Sequence, residues 1–282
     1  MENIVGVPVA EKPSVGRGSV SWKINREIVL LLGWGRAILL QLSHPLIACG
    51  VADHGSFLVQ PHGRLGRLYR TLDGMLTLTF GTAQEAGRVV RRINAMHDRV
   101  HGELREPAGV YSAGTTYSAH DPALLRWVHA TLVDSFLLTY EFYVAPLTPE
   151  EKDRYCSEAS WIEPLLGIPN GYLARDVLEL QQYMDAMISS EEITVTETAR
   201  ALVREIVYPP IPRVAEPLFW LIRFSTIGML PVRIREAYGF QWDSRRESAL
   251  HLSAHLVRRL LPVVPSILRH WPNARAALRQ HC

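Results

Sequence analysis

His97 and His101 stand four residues apart in the stretch Met96-His97-Asp98-Arg99-Val100-His101-Gly102. On a helix that spacing sends both imidazoles off one face, the arrangement that clips a metal ion or holds a haem iron. Histidines in a last helical turn are also what the helix macrodipole selects, so spacing alone leaves two readings open. The preceding segment favours the first. Arg67, Arg70, Thr71, Gly74 and Leu78 recur at i, i+3, i+4, i+7 and i+11 and share a helix face. A glycine in mid-helix costs about 1 kcal/mol relative to alanine. Close approach of a flat ligand or of another helix would compensate, and the two arginines can grip carboxylates by charge-assisted hydrogen bonds. A solvated arginine face with a helix-crossing glycine is the competing reading.

Other candidates carry less. His44, before Pro45, and His54, in Val51-Ala52-Asp53-His54-Gly55-Ser56-Phe57, fall in turns whose side chains can line a pocket. His129 lies inside an apolar segment and needs a hydrogen-bond partner there. His251 and His255 repeat the i, i+4 spacing on an ordinary amphipathic stretch and read as structural. There is no Gly-x-Ser-x-Gly elbow, HExxH, P-loop or GxGxxG, and the paired Glu-x-x-His pattern of a di-iron bundle is unsupported. Cys49, Cys156 and Cys282 are too scattered for a disulfide framework, a zinc ribbon or covalent haem attachment.

The elements that must position these groups are helical. Apolar periodicity predicts a helix from Trp22 to Leu42, stopped at His44-Pro45, then a Gly-rich turn at Gly50 to Gly55 and a helix from Leu65 to Phe80. Thr82 with Glu85 forms a capping box for a helix running to Gly102, which suits a left-handed C′ position. Val110 to His120, with Gly114, Thr115 and Thr116, is the only segment that could be a short strand pair, and it reads rather as an ordered loop. Asp121-Pro122 opens a helix to about Val144 that is apolar on nearly all sides, and Thr148-Pro149-Glu150-Glu151 opens another to about Leu166. Asn170-Gly171 marks a turn. Further helices are predicted over roughly 173–188, 195–208, 214–229, 231–238, 244–261 and from Asn273. The class is all-α. Pro209, Pro210, Pro212 and Pro217 could divide the chain, but the flanking segments are apolar enough to share a core. The expected organisation is a flexible segment over 1–21 and one helical domain over 22–282.

A hydrophobic share of 48% with 21% charged residues gives a chain of 282 residues material for a sizeable core. A net charge of +2 without a basic tract argues against nucleic acid. The run Ile28 to Leu42 is shorter than the ~20 residues of a membrane span, and no export signal is evident, so a cytoplasmic setting is expected, with peripheral membrane contact open.

One ordered succession of short motifs is more specific than any single one. It runs Gly33-Trp34-Gly35-Arg36, Gln41-Leu42-Ser43-His44-Pro45, Gly50-Val51-Ala52-Asp53-His54, Arg67-Leu68-Tyr69-Arg70-Thr71 and Phe80-Gly81-Thr82. It continues through His97 to Gly102, Tyr117-Ser118-Ala119-His120-Asp121-Pro122 and Trp127-Val128-His129-Ala130. From Trp22 to Tyr238 the chain resembles the rubber-oxygenase (latex-clearing protein) and mpaB-type oxygenase catalytic domains. The resemblance implies a globin-like multi-helix bundle enclosing a pocket for non-covalent haem b. It implies His101 as the iron ligand, with His97 a partner of that ligand or of the propionates, and Gly74, His44 and His54 around the cofactor. Arg67, Arg70 and Thr71 would then surround the oxidant, dioxygen or peroxide, and a small apolar, isoprenoid-like substrate. Rubber-cleaving members carry lysine where Arg70 stands, and a guanidinium, always protonated, cannot ligate iron. The alternatives are a haem carrier or sensor without turnover, and a haem-free helical protein that binds a small ligand.

Overall fold

The computed structural model describes residues 18–55, 61–209 and 211–280, and of 61–70 and 278–280 only the backbone. Most of the flexible segment expected over 1–21 lies outside these residues, but its last part does not. Ser19 accepts a hydrogen bond from the Trp22 amide and caps α1 (Val20–Asn25), in which Val20 and Ser21 are already buried.

The helix expected from Trp22 to Leu42 is broken in two. After α1 the chain passes through Arg26 and an extended Glu27, makes a 3-10 turn over Ile28–Leu30 and enters α2 (Leu31–Leu42). The cause is tertiary. Glu27 is fully buried and receives both the Nε (2.7 Å) and an Nη (2.8 Å) of Arg269 near the other end of the chain. That pairing overrides the helical pattern. The Gly-rich turn is corrected too: α3 (Pro45–His54) runs straight through Gly50, whose bare face lies against Tyr117.

α4 (Pro61–Phe80) and α5 (Ala83–His97) form a hairpin closed by the Thr82–Glu85 capping box. α5 ends at His97 rather than at Gly102. The chain turns at Asp98-Arg99, and His101–Glu103 becomes strand β1, antiparallel to β2 (Thr116–Ser118) within the segment expected to be a loop. Gly102 pairs with Tyr117 in this ribbon and does not take a left-handed conformation. A Cβ there would lie 2.6 Å from the Tyr117 hydroxyl, so the glycine serves that close approach and not a helix stop. His97 and His101 therefore do not share a helix face.

Asp121 caps α6 (Pro122–Tyr143), which is buried on most sides and forms the centre of the bundle. α2 crosses it where Gly33 faces Thr139, and α10 (Glu216–Gly228) meets α2 where Gly35 faces Thr226. Around this centre lie α7 (Pro149–Ala159), α8 (Val177–Ser189), α9 (Glu197–Val207), α11 (Val232–Ala237), α12 (Ser244–Leu260), α13 (Ser266–Arg269) and α14 (Pro272–Gln280). One cluster of buried apolar side chains extends from Val20 to Tyr238. The protein is an all-α multi-helix bundle, and among the described residues no single helix is long and apolar enough to cross a membrane.

Candidate functional site

The predicted site residues gather, in part, where α3, α5 and the β1–β2 ribbon meet. His97 occupies the last turn of α5, half-buried, and among the described residues its buried Nδ1 has no hydrogen-bond partner. Burial first, and then the neighbouring His120, push its proton affinity below the ordinary imidazole range, against a weaker opposing pull from Asp98. The ring is therefore neutral near pH 7 and keeps a lone pair. His120 lies edge-on at 5.7 Å and is itself paired with Asp98 at 2.7 Å. His101, one turn of ribbon further on, is exposed. Its carbonyl accepts a hydrogen bond from His54 Nε2 (3.0 Å), and the two rings are 6.4 Å apart.

Beneath the ribbon, Tyr117 donates to Asp53 Oδ2 (2.8 Å), while Arg105 reaches Asp53 Oδ1 at 2.6 Å. Cys49 Sγ approaches the same carboxylate at 3.5 Å. Burial, reinforced by Asp53, raises the Cys49 thiol, so this cysteine is not a thiolate nucleophile at neutral pH.

The second predicted face belongs to α4. Thr71 is exposed, and a Cβ on Gly74 would sit 3.7 Å from Val89 of α5, an ordinary contact. Gly74 thus marks a helix crossing with room to spare. Arg67 and Arg70 lie on α4 outside the residues whose side chains are described. The hairpin register set by Gly74 opposite Val89, followed along two helices of equal rise, puts their backbone positions level with the last two turns of α5, where His97 stands.

His44 is not brought to this site. It is buried at the start of α3, its Nδ1 accepts the Leu46 amide (3.3 Å), and its Nε2 lies 3.1 Å from the Tyr111 hydroxyl, which donates to Glu192 (3.2 Å). With Nδ1 accepting, Nε2 carries the proton, and burial lowers the pKa to about 4. Every polar atom of the ring is used by the fold. His129 is similar: Nε2 meets the Ala159 carbonyl at 3.2 Å, burial lowers its pKa to about 4, and it backs a small crevice with Arg126 and Tyr183. His251 is exposed and pairs with Glu247 at 3.2 Å. His120 and Tyr117, by contrast, were missed as site residues. Their signal was their place in the ordered motif that ends at Asp121-Pro122.

Residues 22–259 match the family described as ER-bound oxygenase mpaB/B′ and rubber oxygenase, catalytic domain. The chain belongs to this family. It is an oxygenase-type catalytic domain, hence an oxidoreductase. It is also similar to the uncharacterized protein Mb2261 of Mycobacterium bovis and to the uncharacterized protein Rv2237 of Mycobacterium tuberculosis. Each is 27% identical over 236 residues, which is 80% of this chain and 87% of the relative. No solved structure matches the chain.

Proposed function

We propose that this oxygenase domain binds haem b non-covalently between α4 and the end of α5, and uses dioxygen or peroxide to oxygenate or cleave a small apolar, isoprenoid-like molecule. The observation that carries the reading is His97 Nδ1, a buried ring nitrogen with no partner among the described residues, on an imidazole held neutral. Orphaned buried polar atoms are rare, and a nitrogen reserved for a metal is one physical reason for one. On this reading His97 would hold the haem iron rather than His101, whose ring is exposed, and His101 and His54 would lie at the rim. Among the described residues no three donors of the His, Cys, Asp and Glu types are grouped to hold a bare ion. An imidazole standing singly suits an iron that brings four porphyrin nitrogens.

When bound, the haem iron supplies the activation of the oxidant. The chain's own residues do the rest. His120, fixed by Asp98, packs edge-on against His97 and holds its ring in orientation. Arg67 and Arg70, as permanent cations on α4, offer paired donors to carboxylates such as the propionates. Thr71, one position further along the same face, offers a hydroxyl to the reacting end of the site.

Absorbance spectroscopy of the haem-supplied protein tests this before any substrate is known. A Soret band is expected, lost or strongly shifted in His97→Ala and retained in His101→Ala. The reverse pattern would return the ligand to His101, and no Soret band in the parent protein would end the haem reading.

A further inference from the structure

The segment from Leu260 to Leu268, Leu-Leu-Pro-Val-Val-Pro-Ser-Ile-Leu, contains no charged residue, and the structure leaves it outside the core. Leu260 is 59% exposed, Val263 76%, Ile267 63% and Leu268 68%. The apolar surface continues up α12 through Leu252 and Leu256, which precede Leu260 at helical spacing and are 59% and 49% exposed. Scattered exposed leucines are ordinary, but a continuous run of this kind is not.

This is a built protrusion and not a frayed end. On its near side Arg258 donates to the carbonyls of Glu141 and Phe142 on α6. On its far side Arg269 is held by both oxygens of buried Glu27, and the Trp271 amide donates to the Arg26 carbonyl at 3.0 Å. Both feet of the turn are thus tied to the bundle while its apolar tip faces out.

Charge decides what covers it. The sequence carries no aspartate or glutamate after Glu247, while Arg258, Arg259, Arg269, Arg275 and Arg279 fall in the same stretch. Arg269 is neutralised by Glu27, but Arg258 is bound only to carbonyls, and Arg259 is exposed with no carboxylate partner among the described residues. A second copy of this face would bring the same cations against each other.

We infer that the end of α12 and the Leu260–Leu268 turn dock the domain on an anionic lipid surface, with the apolar tip in the acyl boundary and Arg258 and Arg259 at the headgroups. Apolar insertion and cationic attraction are the two parts of interfacial binding, and each reinforces the other. The inference stands whether or not haem is bound.

Co-sedimentation of the full chain with phosphatidylcholine vesicles, with and without about a third phosphatidylserine, tests it. Retention is expected on the anionic vesicles, reduced severalfold in high salt and in Arg259→Glu. The double variant Val263→Asp/Ile267→Asp is expected to lose retention at least about tenfold, with an unchanged circular dichroism spectrum because both side chains are exposed. Leu178→Asp, at a 60% exposed leucine on α8, is the control that leaves binding unaltered. Absence of retention on anionic vesicles, or equal retention by the double variant, overturns the inference. So does a concentration-dependent dimer abolished by the double variant, which would give the face to a second copy.

Discussion

The crossing of α2 with α6 and the hairpin of α4 with α5 are both helix pairs with a glycine at the contact, yet they treat polar groups in opposite ways. At the first, Arg36 is buried and paired at two of its nitrogens: Nε donates to the Met229 carbonyl (2.8 Å), and Nη1 to Ser135 Oγ (2.7 Å) and Asp134 (2.6 Å). Gly33 is packed so closely that a Cβ would come within 2.0 Å of Thr139 Oγ1. At the hairpin, α5 buries only Ala86 and Val90, Gly74 has ordinary room, and His97 Nδ1 has no partner among the described residues. Closed polar networks mark the region that makes the fold. An open one marks the region that can still bind something.

Breaking the closed network should cost most. Arg36→Met leaves buried Ser135 and the partly exposed Asp134 without their donor, and a loss of about 2–4 kcal/mol in urea unfolding is expected. An unchanged midpoint would mean that the central seam does not depend on its ion pair. Acid probes the second closed network. His44 has its pKa depressed to about 4, so the unfolded chain takes up that proton first as pH falls. Its contribution is complete above the unfolded value near 6.5, declines as pH falls toward 4 and amounts to about 3 kcal/mol. His44→Asn, which can still cap α3, should remove about that much of the decline; an identical pH profile would show that the ring titrates freely. The smallest effects sharpen the contrast directly. Gly33→Ala should destabilise by about 1–3 kcal/mol, since the Thr139 hydroxyl it meets is held by the Ser135 carbonyl at 2.6 Å. Gly74→Ala should be neutral or stabilise by up to about 1 kcal/mol. Equal responses of the two glycines in thermal unfolding would erase the distinction between the two crossings.

Local chemistry made much of this architecture legible. The capping boxes at Thr82–Glu85 and Thr148–Glu151, and the Asp121-Pro122 start of α6, were readable because each is decided within four residues. What escaped was decided at a distance. The break at Glu27 depends on Arg269, the helical Gly50 on Tyr117, and the early end of α5 on the pairing of His101–Glu103 with Thr116–Ser118. Of the candidate site, spacing pointed to His97 and His101 but not to the geometry that separates them. His97 and His101 are near one another, but a turn separates them, and that turn makes one nitrogen interior and the other exposed. His44 was misplaced for a complementary reason, since its sequence position before a proline does not reveal the Tyr111 and Glu192 that enclose it.

The ion pair between Glu27 and Arg269 joins residues 242 positions apart. Synthesis runs from the amino end, so Glu27 is made 242 residues before Arg269, with the adjacent Arg26, 3.5 Å away in the fold, as its earlier cation. A carboxylate cannot enter a dry interior alone without several kcal/mol of penalty. The two-point clasp that seals the junction between α1 and α2 can thus close only once residue 269 has been made, long after the helices it joins.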